Sequence, residues 1–251
     1  MTVQTQAKPT VVLVHGAWGD ASGWSKVAQR LQADGYTVVA PANPLRGLSG
    51  DASYIANFLK TVPGPIVLVG HSYGGAVITN AATGNSNVKA LVYVAAFAPD
   101  TDETVAKLTA KFPGTHLTDD PTAPVPTALN PVPLPQADGT YGVDLYLKPE
   151  KFRDVFLSDR LSTQTAAVMA ATQRPATAVA LNEPSQSAAW KTIPSFFLVA
   201  NKDRALPPAA ERYMAERAKG RTVAVNEPHA VHITNPGAVV SLINDAVRAT
   251  D

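Results

Sequence analysis

Short apolar runs rich in β-branched residues recur along this chain, and amphipathic stretches separate them. Val11–Val14 is one such run and stops at His15-Gly16. Trp24, Val27, Ala28 and Leu31 follow at helical spacing, and Asp34-Gly35 closes that pattern. Tyr36–Ala40 reads as a second strand, stopped by Pro41. Residues 51–59 put Tyr54, Ile55, Phe58 and Leu59 on one helical face. Ile66–Val69 is a third strand, Gly70–Gly75 a turn, and a helix of small residues begins near Ala76. Val88–Ala96 is a fourth strand. A strand that is apolar at every position must be covered on both faces. Its alternation with helices predicts an α/β fold with a mostly parallel sheet flanked by helices.

Prolines then break the rhythm. Pro113, Pro121, Pro124, Pro126, Pro131, Pro133, Pro135 and Pro149 crowd the stretch after Phe112. Proline lacks an N–H and fixes φ, so no strand or helix of ordinary length is expected between them. Helical patterns resume over 149–157 and 162–181. A strand at Ser195–Ala200, a helix over 208–218 and a strand at Arg221–Val225 restore the alternation. Asn235-Pro236 supplies an N-cap and first residue for a last helix. The pattern predicts one α/β domain over residues 1–251, with an inserted lid at about 99–190.

Composition narrows the function. The 251 residues carry 21 Lys+Arg against 20 Asp+Glu, a net charge of +1, which gives no basic footprint for nucleic acid or an anionic membrane. With 45% apolar and 16% charged residues the chain has ample material for a core. Cysteine is absent, so disulfides, thiolate metal sites and a cysteine nucleophile are excluded. The longest apolar runs, 65–70 and 90–98, fall far short of the roughly 20 residues that span a bilayer. The N-terminal residues lack the charged and apolar regions of a secretory leader. The expectation is a soluble, cytoplasmic protein. The five histidines lack metal-ligand spacing with carboxylates, and no phosphate-binding loop is present. No metal and no cofactor is expected.

Gly70-His71-Ser72-Tyr73-Gly74 fits G-x-S-x-G, between an apolar strand and a small-residue helix. In that setting the serine stands on a sharp, strained turn, and side chains two residues either side would collide. Ser72 is therefore the candidate nucleophile. A tetrahedral intermediate needs two fixed N–H donors. One falls to the backbone of Tyr73; the other to Ala17, in the His15-Gly16-Ala17-Trp18 loop that ends the first strand. Among the histidines, His229 and His232 lie between the last strand and the last helix, with His229 nearer the strand end. His15 is a rival base. His71 points away from its neighbour Ser72, and His116 falls in the proline-rich stretch. Asp203 follows the strand 195–200 and is the candidate acid, with Asp100 and Asp102 as alternatives. The order Ser72, Asp203, His229 is that of an α/β-hydrolase triad.

These residues make the chain resemble the α/β-hydrolase superfamily. Within it the likeness is to plant methyl-salicylate-type esterases, hydroxynitrile lyases and related bacterial serine esterases. It rests on Val12–Trp18, Val67–Gly75, Leu198–Asp203 and Pro228–Val231, and covers nearly the whole chain. It implies Ser72, Asp203 and His229 as the triad. Pro228 stands where such proteins often carry serine. The segment Met169–Pro175 looks like the lid of bacterial members. Hydroxynitrile lyases place lysine after the catalytic histidine and threonine in the oxyanion loop; Ala230 and Ala17 stand here, which argues against cyanohydrin cleavage. Ser72 argues against members with an aspartate nucleophile.

The leading expectation is a carboxylic-ester hydrolase for small, neutral, moderately hydrophobic esters or lactones. Lactone opening, C–C cleavage or a cofactor-free reaction on the same residues are alternatives, as is a non-catalytic ligand-binding member of the fold. Trp18, Phe112, Tyr146, Phe152, Phe156 and Met169 are candidate lining residues for the substrate pocket.

Overall fold

The structure is a computed structural model that describes residues 8–250. The segment read for a leader lies largely in residues 1–7, outside the described residues. In chain order the first half gives β1 (Thr10–Val14), α1 (Ser25–Ala33), β2 (Val38–Val39), α2 (Leu48–Lys60), β3 (Ile66–Ser72), α3 (Tyr73–Ala81) and β4 (Val88–Ala96). The middle gives α4 (Val105–Ala110), β5 (Leu129–Pro135), β6 (Tyr141–Leu147), α5 (Pro149–Leu157), α6 (Thr163–Thr172), β7 (Ala176–Thr177) and α7 (Ala178–Asn182). The last part gives β8 (Ser195–Ala200), α8 (Pro208–Arg217), β9 (Arg221–Val225), α9 (Val231–Thr234) and α10 (Pro236–Arg248).

Six strands form one sheet in the order β2-β1-β3-β4-β8-β9, every pair parallel. Successive side chains of a strand face opposite sides, so each apolar strand feeds two cores. Val12 and Val14 pack with Leu68, Ile55 of α2 and Val77 of α3. Val11 and Leu13 pack with Val67, Leu31 of α1 and Ile243 of α10 on the other face. From β1 the chain goes to β2 on one side and to β3 on the other. Such a reversal opens a crevice at the C-terminal ends of the two central strands. The register pairs Val14 with Gly70, so the loop after β1 lies beside the turn after β3.

The middle segment departs from the sequence expectation. Between Phe112 and Pro149 no strand was expected, yet β5 and β6 pair antiparallel and β7 extends them to a three-stranded sheet. The prolines are tolerated because they alternate. Gln136 N–H donates to Thr140 O at the hairpin end, and Lys148 N–H donates to Ala128 O at the other. The ladder bonds therefore fall on even-numbered residues of β5, while Pro131, Pro133 and Pro135 occupy the outward positions of an edge strand. The helix expected over 162–181 is also broken. It ends at Thr172, and Gln173-Arg174-Pro175 leads into β7 and the separate α7. The helix after the nucleophile turn starts at Tyr73 rather than near Ala76. Among the described residues no helix is long and apolar enough to cross a membrane.

Candidate active site

Ser72 ends β3 with φ 53° and ψ −126°, a left-handed conformation that a residue with a side chain adopts at a cost. The surrounding glycines make that turn possible. A Cβ on Gly70 would sit 2.6 Å from the carbonyl oxygen of Gly74, and one on Gly16 would sit 2.7 Å from Ser72 Cβ. The loop after β1 thus lies directly against the serine. That hypothetical Gly16 Cβ is also 3.2 Å from Tyr73 N, so Ala17 and the start of α3 flank one spot. The first N–H groups of a helix have no intrahelical acceptor, and Tyr73 is the first residue of α3.

Ser72 Oγ lies 2.8 Å from His229 Nε2, and His229 Nδ1 lies 2.5 Å from Asp203 Oδ2. All three residues are buried. With Nδ1–H donating to the carboxylate, Nε2 is left as the hydrogen-bond acceptor for the Ser72 hydroxyl. Asp203 Oδ1 accepts from the N–H groups of Ala205 and Leu206 at 2.7 and 2.8 Å. The loops after β8 and β9 bring the acid and the histidine to the sheet edge where β3 delivers the serine.

The other histidines take different places. His15 Nδ1 donates to Gly16 O while its Nε2 accepts from Asn43 N–H, so it pins the loop it starts. His71 Nε2 donates to the carbonyl of His229 at 2.9 Å and so braces the backbone of that residue. His232 lies against His71 with the rings tilted at 45° and their centroids 4.1 Å apart, and among the described residues its Nδ1 has no partner. Burial, and then the neighbouring histidines, hold His71 well below the usual imidazole range. Burial takes His232 down to about 3. His116 pairs with Asp154 in an exposed position. Asp100 pairs with Lys191, and Asp102 is exposed.

A mostly apolar cavity of about 580 Å³ opens onto Ser72 and His229. Ala17, Tyr73, Trp18 and Phe112 are on its wall, with Leu129, Leu181 and Leu206. Four of the expected lining residues lie elsewhere. Tyr146 stands on β6 away from the cavity, and Phe152 is buried against Phe156. Phe156 meets the His229 ring edge-on at 5.3 Å between centroids. Phe156 and Met169 line a smaller cavity of about 270 Å³, which shares Ala17 and Trp18 with the first. The physical reason is that α5 turns its apolar face towards the histidine. The wall over the serine comes instead from α4 and the loop that follows it.

Among the buried carboxyls that escaped the sequence reading, two lie beside the residues of the site. Asp51 accepts from Tyr73 Oη at 2.7 Å and from the N–H groups of Arg46 and Gly47, which ties the start of α2 to the start of α3. Burial raises its pKa despite those bonds. Glu211 on α8 accepts from Ala200 N–H. Both sit near the start of a helix, the only signal they offered. Among the described residues no group of three or more His, Asp or Glu is placed to hold a metal.

A parallel sheet that ends one central strand on a strained serine, bonded to a histidine and on to a carboxylate, is the architecture of an α/β hydrolase. The chain matches the alpha/beta hydrolase family over residues 11–242 and belongs to it. Pyrethroid hydrolase of Sphingobium wenxiniae is 26% identical over 257 residues, covering 95% of this chain and 88% of that protein. Methylesterase 1 of Arabidopsis thaliana is 24% identical over 233 residues, covering 85% of each. Among solved structures, polyneuridine aldehyde esterase superposes with a TM-score of 0.78 over 95% of this chain and 99% of that one, at 18% identity. That likeness is one of fold.

Proposed function

We propose that the protein is a serine hydrolase of carboxylic esters, acting through an acyl-enzyme on small, neutral, moderately hydrophobic substrates. One observation carries this reading: the hydrogen-bonded series Ser72, His229, Asp203 opens into an apolar cavity of about 580 Å³. That volume falls in the range of small-molecule sites. The similarity to a pyrethroid hydrolase and a methylesterase supports ester cleavage.

In this mechanism His229 Nε2 takes the Ser72 proton as Oγ attacks the ester carbonyl. The Ala17 and Tyr73 N–H groups hold the oxyanion. Asp203 keeps the Nδ1–H tautomer and stabilises the imidazolium. His229 then protonates the departing alcohol. Water, deprotonated by His229, releases the acid and restores Ser72. The segment between β4 and β8 acts as a lid and sets acyl and alcohol size, with Trp18 and Phe112 as contacts.

The test is hydrolysis of short p-nitrophenyl esters. Ser72→Ala and His229→Ala are each expected to lower kcat by on the order of 10⁴-fold or more. A phosphonate ester is expected to label Ser72 of the native chain. No turnover and no label would sink the proposal. Loss confined to His232→Ala would move the base to His232.

A further inference from the structure

Glu211 has no part in the chemistry above, yet it is 3% exposed and lies against the acid of the series. Its Oε2 accepts from Ala200 N–H at 3.1 Å. Its Oε1 is buried and, among the described residues, has no donor to accept from. Asp203 N–H donates to the Ala200 carbonyl, so Ala200 anchors both residues and brings the two carboxyls side by side. Two carboxylate oxygens cannot bond each other, so the contact becomes a hydrogen bond only when one carboxyl carries a proton. Donor count decides which. Asp203 receives two backbone N–H groups and the His229 Nδ1–H. Glu211 receives a single N–H. Hydrogen bonds to the ionised form favour ionisation, so the proton belongs on Glu211, the carboxyl with fewer donors.

We infer that Glu211 carries a proton which its Oε1 donates to Asp203, making Glu211 a positioning residue that holds the acid towards His229. The inference rests on the reading of Asp203 as the acid of the series. The groups around it agree. Burial, and then the Asp203 charge, push the Glu211 carboxyl well above its ordinary range. Arg212, on the same helix, pulls the other way, but it is exposed and bonded to Asn201. His229 lies beyond Asp203 and is engaged by its other oxygen. A neutral carboxyl here spans from the end of β8 to the loop carrying Asp203. It fixes that carboxylate without adding a second buried negative charge.

The full chain, Glu211→Gln and Glu211→Ala test this. Glutamine keeps both bonds, an amide N–H to Asp203 and a carbonyl towards Ala200. Glu211→Gln is expected to retain at least about a third of kcat, and Glu211→Ala to lose about tenfold or more with little change in KM. Two readouts separate a protonated positioning group from ordinary packing. Infrared difference spectra of wild type against Glu211→Gln at about pH 6, above the ordinary glutamate value, should show the C=O stretch of a protonated carboxyl in wild type alone.

The second readout is stability against pH. The unfolded chain releases this proton near 4.5, the ordinary glutamate value, and the native chain keeps it, so wild type loses stability as pH rises above that value. Glutamine removes that loss, so the Tm advantage of Glu211→Gln should grow from about pH 5 to about pH 9. A Tm difference flat in pH, no protonated-carboxyl band, or a Glu211→Gln as inactive as Glu211→Ala would each overturn the inference. The infrared and Tm readouts need no substrate. A failure of ester hydrolysis therefore leaves them able to decide the protonation of Glu211.

Discussion

At the scale of single residues, the site is held by polar groups that face inward. Tyr73 illustrates this. Its place after Ser72 made its backbone N–H a candidate oxyanion donor in the sequence, but its side chain was not readable at all. The hydroxyl donates to buried Asp51 across to α2. Tyr73→Phe removes that donor and leaves Asp51 Oδ2 a backbone N–H 3.1 Å away and a weaker one 3.4 Å away. A loss of about 1–3 kcal/mol is expected, since a buried acceptor loses a partner. Chemical denaturation checks it, and an unchanged midpoint would show that Asp51 is satisfied without the hydroxyl. The contrast with Ser72 is physical. A nucleophile turn needs glycines at fixed offsets, so chain order reveals it. A tyrosine–aspartate bond 22 residues apart needs no local pattern.

At the scale of elements, the parallel sheet was legible because a strand buried on both faces is apolar throughout. The antiparallel hairpin was illegible because three prolines in seven residues of β5 read as a loop. Parity is what admits them, and parity is a property of the pairing rather than of the run. It also makes a prediction. Val132 falls on the bonded side, opposite Asp144, and Pro133 on the open side. Val132→Pro should cost roughly 1–3 kcal/mol, because it removes a ladder N–H and leaves the Asp144 carbonyl without its donor. Pro133→Ala loses no ladder bond and should cost only roughly 0.4–1 kcal/mol, through the greater freedom of the unfolded chain. Thermal melts of the two variants decide this. Equal shifts would mean that the hairpin ladder contributes nothing to the melt. The same element scale explains the misplaced pocket residues. Helical periodicity identified the apolar face of α5, but which neighbour that face meets depends on where the hairpin turns the chain.

At the scale of the whole molecule, burial of titratable groups around one sheet edge sets two opposing pH dependences of stability. Glu211 weakens the fold as pH rises above its ordinary value of about 4.5. His71 and His232 act in the opposite direction; their rings are tilted against each other and lie against His229 and Trp24, and among the described residues no carboxylate is bonded to either ring. Both stay neutral in the native chain because burial opposes their charging. The sign follows directly. Unfolded histidine takes up a proton near 6.5, whereas native His232 does so only near 3. Between those values the unfolded chain binds more protons through this residue, so the His232 contribution to stability falls as pH drops below about 6.5. For His232 alone the loss from about pH 6.5 to about pH 5 comes to about 1.5 kcal/mol. His232→Gln places an uncharged amide there. Its stability at any one pH will differ from wild type for packing reasons, so the slope is the diagnostic quantity. Denaturation midpoints across that window should fall less steeply for His232→Gln than for wild type. Parallel slopes would show that His232 is already charged in the native chain or gains its proton with the rest of the core intact.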